Sequence, residues 1–178
     1  MQMETDMKKL LFVAALVLLA GCDQPSTQST GGQATTETTS KPLKVGETGK
    51  AEGMEITVTS AEATRKIGPA QGGIRAEPDE TFVVVNYKLK NTSTKVLGLL
   101  DRPTFTLIDD KGNSYAVDEM VGAIAGLVAA GDSMPSIDLN TGTSTKLSAA
   151  WKIAQQGFDP KTWKIEVATD PKLTFSIE

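Results

Sequence analysis

Histidine is missing from this chain of 178 residues, and cysteine occurs once. A Ser-His-Asp or Cys-His catalytic arrangement needs an imidazole to move a proton, so neither can be built here. Aromatic residues make up 5% of the chain, the formal net charge is −4, and no basic stripe is interleaved with aromatic residues, which argues against nucleic-acid binding. No nucleotide-binding glycine loop, zinc motif or EF-hand loop is present. We therefore expect a non-enzymatic protein without a cofactor.

Long hydrophobic runs are also scarce. The apolar run Leu10 to Ala20 is far shorter than the roughly 20 residues that a membrane-spanning helix needs. It follows Lys8 and Lys9 and leads into Cys22, and a basic start, a short apolar run and small residues before a cysteine are typical of an export signal.

The tetrad Leu19-Ala20-Gly21-Cys22 resembles a bacterial lipobox. That resemblance implies removal of residues 1–21 and a diacylglyceryl group on Cys22, and more than one acyl chain would hold the protein stably at a membrane. Asp23 resembles the signal that retains proteobacterial lipoproteins in the inner membrane. We expect the domain to face the periplasm in a Gram-negative host, or the outside in a host with one membrane.

Met7 is the predicted start of the signal, because Glu4 and Asp6 would otherwise lie in a region that should be basic.

The segment after the signal is predicted to be a flexible tether. From Asp23 to Lys41 the chain lacks Val, Ile, Leu and aromatic residues, so it cannot bury enough apolar surface to fold. Residues 22–42 are therefore predicted to be the lipidated cysteine with a disordered linker, and residues 43–178 one domain with its own core.

The domain shows the patterns of β-structure. Apolar residues alternate at period two in Met54–Val58, Leu147–Ile153, Trp163–Val167 and Leu173–Ile177. The stretch Phe82–Leu89 begins as a continuous apolar run and ends alternating, which fits a central strand covered on both faces at one end. A further strand at Phe105 and Leu107 returns after Asp109–Asn113 through Tyr115 and Val117, which predicts a hairpin. The expected fold is all-β, an antiparallel immunoglobulin-like β-sandwich.

Three stretches in this order resemble the telokin-like, immunoglobulin-type domain of uncharacterised bacterial lipoproteins. They are Gly53–Ser60, Phe82–Ser93 and Phe105–Tyr115, with the turn Leu139–Gly142 ahead of the Trp151 strand, where Thr141 stands in place of the usual proline. The resemblance implies an exported sandwich, distantly similar to secreted mycobacterial immunoglobulin-like antigens. It carries over no catalytic residues.

Four carboxylates flank the predicted hairpin, namely Asp109, Asp110, Asp118 and Glu119. Oxygen ligands of this kind suit Ca²⁺. An Asp-Asp-Lys-Gly turn is also ordinary hairpin composition, so a solvated turn is the simpler interpretation.

The segment from Met120 to Gly131 is apolar on nearly every side and rich in small residues. One interpretation is a short helix or loop folded over an open end of the sandwich. The other is an exposed apolar surface, with Ile124, Leu127 and Val128 contacting a partner protein, a peptide or the membrane surface.

Two further features admit two interpretations each. Trp151 and Trp163 align with apolar neighbours at period two and are expected in the core; exposed rings would instead suit a carbohydrate platform. The glycine-rich loop from Gly68 to Glu80 is either a recognition loop or a tolerated insertion.

The sequence therefore predicts a membrane-anchored exported lipoprotein whose sandwich is a non-enzymatic interaction module for an envelope protein. A lipoprotein that binds a small ligand, an ion or an envelope polymer is the alternative. An enzyme that uses carboxylates alone is a third.

Overall fold

The structure is a computed structural model that describes residues 41–69, 71–131 and 138–178. The predicted signal peptide, lipobox, Cys22, Asp23 and nearly all of the predicted linker lie outside the described residues. The strands are Thr48–Ala51 (β1), Met54–Thr64 (β2), Lys66–Ile67 (β3), Ile74–Arg75 (β4), Glu80–Asn91 (β5), Thr104–Ile108 (β6), Ser114–Ala116 (β7), Ser144–Ala154 (β8), Lys164–Ala168 (β9) and Leu173–Ser176 (β10). The helix α1 spans Glu119–Ala130, and short 3₁₀ turns lie at Leu99–Asp101 and Gln155–Gly157.

Two four-stranded antiparallel sheets face each other. The first has the order β1-β2-β5-β8 and the second the order β10-β9-β6-β7. The chain passes from β5 in the first sheet to β6 in the second, returns to β8, and passes again to β9. The central pairs are β2–β5 in the first sheet and β6–β9 in the second, and a chain that crosses repeatedly between two such antiparallel sheets has the arrangement of an immunoglobulin-like sandwich. The predicted fold class is confirmed.

The main core lies between the sheets and is filled by the inward-facing residues of both. Its largest fully buried side chains include Trp151, Phe175, Ile56, Leu89 and Leu107. These residues recur at every second position of their strands, as period two requires. All four alternating stretches that the sequence predicted as strands form strands here.

Strand β5 is buried on both faces over its first half. Val83 and Val85 point into the main core, whereas Phe82 and Val84 point to the opposite face and are 2% and 5% exposed. That second burial explains the continuous apolar run at the start of this strand, because both faces there need apolar side chains.

The hairpin β6–β7 is also confirmed. The Asp109 amide donates to the Asn113 carbonyl at 3.1 Å, and Gly112 takes φ of 84°. A positive φ is the conformation for which glycine is suited in such a turn.

Helix α1 lies on the outer face of the first sheet. An outer core joins Phe82, Val84 and Ala150 of that sheet to Val121 and Ala125 of the helix. Asp118 is the N-cap residue of the helix, and its carboxylate accepts from the Val121 amide at 3.0 Å. From the sequence, Met120–Gly131 was expected to form a helix or a loop over an open end of the sandwich. The segment does form a helix, but it covers the outer face of the first sheet, so the predicted position was wrong. The outer-facing apolar residues of β5 and β8 need a cover, and α1 supplies it.

The segment from Gly68 to Glu80 contains the second strand of the short hairpin β3–β4, which extends the outer core. Ile67 is buried in it, and Ile74 and Ala76 pack against it. Part of this loop therefore serves packing beside α1.

Candidate functional site

The candidate site is the exposed side of α1 with the small cleft beside it. Val121, Gly122 and Ala125 form the buried side of the helix. On the opposite side Met120 is 70% exposed and Leu127 52% exposed. We call Met120, Ala123, Leu127 and Val128 the outer ridge of α1; Met120, Ala123 and Leu127 recur at the three- and four-residue spacing of one helical side, and Val128 follows Leu127 beside the cleft.

The composition of α1 explains why one of its sides stays uncovered. Glu119 is the only charged residue in the helix, so the exposed side carries apolar groups where a surface helix usually carries polar ones. An all-apolar helix is normally buried on every side. The structure covers one side of α1 with the sheet and leaves the outer ridge in contact with solvent.

The predicted contact residues divide between the two sides. Ile124 is half-buried and packs against the outer core, whereas Leu127 and Val128 are about half exposed. Ile124 therefore helps to seat the helix, and Leu127 and Val128 remain accessible. The sequence did not single out Met120, although it falls one helical turn before Ile124 and is the most exposed large side chain of α1.

A cleft of about 160 Å³ lies between the C-terminal half of α1, the hairpin β3–β4 and the outer face of β2 and β5. Its lining combines apolar Ile67, Val84, Ala125 and Val128 with polar Glu62, Thr64, Lys66 and Asn86. Drug-sized ligands occupy pockets of roughly 300–1,000 Å³. The cleft is therefore large enough for only a small group.

A β-bulge orients the polar wall of the cleft. The register of β2 on β5 shifts between Val58 and Ser60, so Thr59 is an extra residue. After the shift, Glu62 lies opposite Val84, an outward-facing residue of β5. Without the bulge, Glu62 and Thr64 would continue the inward phase of Val58, because side chains alternate at period two.

The floor beside the cleft carries a hydrogen-bond ladder across three strands. The Asn86 side-chain amide donates to Ser60 Oγ at 2.9 Å, and Ser148 Oγ donates to Asn86 Oδ1 at 2.6 Å. Gly122 of α1 approaches this floor closely, since a Cβ placed there would lie 3.6 Å from the Ala150 amide nitrogen. The ladder satisfies the polar groups that α1 partly shields from water.

The four carboxylates considered for Ca²⁺ are not brought together. Asp109 is buried, and its oxygens accept from the Lys111 and Asn113 amides, the Asn113 side chain and the Tyr115 hydroxyl. Asp118 caps α1 instead. Within residues 41–69, 71–131 and 138–178, no three Asp, Glu, His or Cys side chains are grouped as a metal site would require.

Ionisation at this hairpin follows from its contacts. Burial raises the pKa of Asp109, but the hydrogen bonds from Asn113, Lys111 and Tyr115 outweigh it and hold that pKa below its usual value. Burial and the Asp109 carboxylate raise the pKa of Tyr115. In the main core, burial raises the pKa of Tyr87 to about 12, against a smaller opposite effect of Arg102.

Both tryptophans lie in the core, as expected. Trp151 is fully buried and its indole N–H donates to the Tyr115 carbonyl at 3.0 Å. Trp163 is 4% exposed, stacks on Tyr115 and meets the edge of Phe158. Neither ring is available as a carbohydrate platform.

A second exposed apolar feature was missed by the sequence reasoning. Between β5 and β6, Val96, Leu99 and Leu100 are 52%, 61% and 97% exposed. We call residues 96–100 the tip. Its signal in the sequence is four apolar side chains in five residues, at neither strand nor helix spacing and outside any predicted strand.

Among the described residues, no helix has the length and apolar character needed to cross a membrane.

Comparisons with known proteins extend the fold assignment. No family model matches the chain. The uncharacterized protein YxkC of Bacillus subtilis (strain 168) is 29% identical over 133 residues, which are 74% of this chain and 74% of that protein. A conserved hypothetical protein from Bacillus anthracis superposes with a TM-score of 0.64 and 22% identity, over 78% of this chain and 96% of that one.

An uncharacterized β-sandwich protein from Clostridium difficile 630 superposes with a TM-score of 0.54 and 16% identity, over 78% of this chain and 95% of that one. The chain thus resembles uncharacterised bacterial proteins, and its solved neighbours share the β-sandwich fold. These similarities do not extend to a telokin-like domain or a mycobacterial antigen, so that part of the resemblance stays a prediction.

Proposed function

We propose that this chain is an exported, lipid-anchored protein whose β-sandwich is a non-enzymatic interaction module, with the outer ridge of α1 as its contact surface for an envelope protein. The observation that carries the proposal is the exposure of Met120, Leu127 and Val128 on a helix whose other side is already buried in the domain.

The outer ridge is suited to binding a protein because its apolar side chains are exposed on a helix that is fixed to the domain. The ridge side chains project from a helix held by the outer core and by the Asp118 cap, so they are presented in a fixed arrangement. Complete burial of one large apolar side chain contributes about 1.5–3 kcal/mol. Since Leu127 and Val128 are already about half buried, complete burial of each by a partner would contribute about half of that free energy.

The alternative, binding of a small ligand, has weaker support. The cleft beside α1 has a volume of about 160 Å³, and the Asn86 side chain at its floor is already hydrogen-bonded on both sides. An enzyme using carboxylates has weaker support still, because the oxygens of Asp109 are engaged in the hairpin.

The anchor rests on the sequence of residues 8–23, which resembles a lipoprotein signal with Cys22 as the acceptor. Cys22→Ser should abolish lipidation and leave unprocessed precursor. Normal mature protein in the membrane fraction of cells carrying Cys22→Ser would contradict the anchor.

Photocrosslinking in cells tests the contact surface. A photoreactive amino acid replaces Leu127 in one strain and Gln156, an exposed residue far along the chain from α1, in a matched control strain. We expect one dominant protein adduct from position 127 that is absent from position 156. Equal adduct patterns at the two positions, or crosslinks from position 127 to this chain alone, would contradict the proposed interaction.

A further inference from the structure

We propose that the tip is a second membrane contact: Val96, Leu99 and Leu100 insert into the lipid surface to which Cys22 is anchored. This inference rests on the lipid anchor of the proposed function and concerns a different surface from the outer ridge of α1. Its occupant is the headgroup and upper acyl region of a bilayer.

The tip is held firmly in its exposed position. Asp101 Oδ2 accepts from the Gly98 amide at 2.8 Å, which closes the turn that carries Leu99 and Leu100. At the base, Leu97 and Leu139 exchange both backbone hydrogen bonds, at 3.0 and 2.9 Å.

Buried Asn91 fixes the approach to the tip. Its side-chain amide donates to the Lys95 carbonyl at 2.6 Å and to the Leu139 carbonyl at 2.8 Å. Ordering a loop has an entropic cost, and here the ordered loop displays apolar side chains to solvent instead of burying them. Exposed apolar groups in such an arrangement are typical of a binding surface.

The path of the chain into the domain selects the membrane as the occupant. Leu43 pairs in parallel with Phe175 of β10, and β10 runs in the same direction as β6 because both are antiparallel to β9. Residues 41–42 therefore approach from the end of the sandwich at which β6 begins. The tip immediately precedes β6, so it lies at that same end.

The number of residues between Cys22 and the domain is compatible with this contact. Eighteen residues separate Cys22 from Lys41, and a flexible chain of that length has a root-mean-square reach of about 5–6 Å times its square root, or roughly 20–25 Å. A bilayer that holds Cys22 is thus within reach of the end that carries the tip. An insertion of apolar side chains strengthens with the apolar area buried, as for other interfacial anchors.

Spin labelling of the full mature chain in phosphatidylglycerol and phosphatidylethanolamine vesicles tests the inference. Leu100→Cys carries a nitroxide in one sample and Gln156→Cys in the control, which lies at the opposite end because it follows the end of β8 paired with the start of β5. Lipidation consumes the thiol of Cys22, so only the introduced cysteine is labelled. Both positions are exposed, and neither substitution should disturb the fold.

We expect the ratio of oxygen to nickel-chelate accessibility to be severalfold higher at position 100 than at position 156. A label at Val96→Cys should show a similarly raised accessibility ratio relative to position 156, and adding Leu100→Asp should abolish that difference. Equal ratios at positions 100 and 156 in protein that floats with the vesicles would overturn the tip inference and leave the anchor intact. Spin–spin broadening at position 100 would also overturn it, in favour of contact between two copies. Failure of the chain to float would refute the anchor and the inference with it.

Discussion

Replacing Asn91 with alanine should be among the most damaging single changes outside the apolar core. Its side chain is fully buried at the end of β5 and makes four hydrogen bonds: two donated to the Lys95 and Leu139 carbonyls and two accepted from the amide and hydroxyl of Ser93. These bonds join the base of the tip to the turn before β8. No apolar packing replaces them when the side chain is removed.

The size of the effect follows from these contacts. A net contribution of about 0.5–1.5 kcal/mol for each hydrogen bond gives about 2–6 kcal/mol for four. Two of the partners keep a bond without Asn91, because the one hydroxyl proton of Ser93, shared between Asn91 Oδ1 and the Lys95 carbonyl, can then be donated wholly to Lys95, and the Leu97 amide still donates to the Leu139 carbonyl. The lower half of the range, about 2–4 kcal/mol, is therefore the expected loss.

Urea unfolding of the purified protein, followed by the fluorescence of the buried Trp151 and Trp163, measures this loss. With a slope of about 2 kcal/mol/M, the midpoint should fall by about 1–2 M. Asn140→Ala is the control, since Asn140 is exposed and should change stability by less than about 0.5 kcal/mol. Equal midpoints for the two variants would refute the reasoning.

Three further predictions follow from the described contacts. Gly122→Ala should stabilise the protein by about 0.5–1 kcal/mol in thermal unfolding, because the added methyl meets only ordinary contacts and alanine favours helix. At Gly73 an added Cβ would clash with the Ile67 carbonyl oxygen, so Gly73→Ala should destabilise the protein, and the opposite order of the two variants would contradict the packing. The lowered pKa of Asp109 stabilises the folded protein; this stabilisation is complete above the unfolded pKa of about 3.9 and is lost as the pH falls through the folded pKa. Asp109→Asn should therefore make the urea midpoint less dependent on pH in the acid range. An unchanged dependence would refute this. Tyr87 and Tyr115 are the only tyrosines, and ultraviolet titration of the folded protein should show the pKa of Tyr115 above its usual value and ionisation of Tyr87 only near pH 12. Ionisation of both tyrosines with the usual pKa would be the contrary result.

The strands were predictable because burial on one face imposes period two on the sequence. Ile56, Val58, Leu147 and Trp151 all point into the main core, as their alternation indicated. The continuous run from Phe82 was also informative, since only a strand covered on both faces needs apolar residues at successive positions.

The place of α1 could not be predicted in the same way. A helix with apolar residues on both sides does not show which side will be buried, and the choice depends on distant partners in Phe82, Val84 and Ala150. The carboxylates around the hairpin show a similar limit. Their closeness in sequence suggested a shared ligand, but Asp109 turns to its own hairpin and Asp118 to the first turn of α1.

The polar wall of the cleft and the tip could not be predicted from apolar periodicity, because both depend on local backbone geometry. The extra residue at Thr59 reverses the facing of Glu62 and Thr64 and places them at the cleft. The tip is apolar without periodicity, so neither strand nor helix patterns detect it. An apolar cluster between two strands was nevertheless visible in residues 96–100 and is itself a signal for exposed contact surfaces.

The central claim, that the outer ridge of α1 contacts an envelope protein, is tested most directly by crosslinking from a neighbouring position in two backgrounds. A photoreactive amino acid at exposed Ala123 is combined with Leu127→Glu or, as the matched control, with Leu127→Met, and thermal unfolding confirms that both variants are folded. We expect the protein adduct to persist with methionine and to fall at least tenfold with glutamate, because a charge on the ridge must be desolvated on binding. An adduct of equal intensity in both backgrounds would contradict the claim.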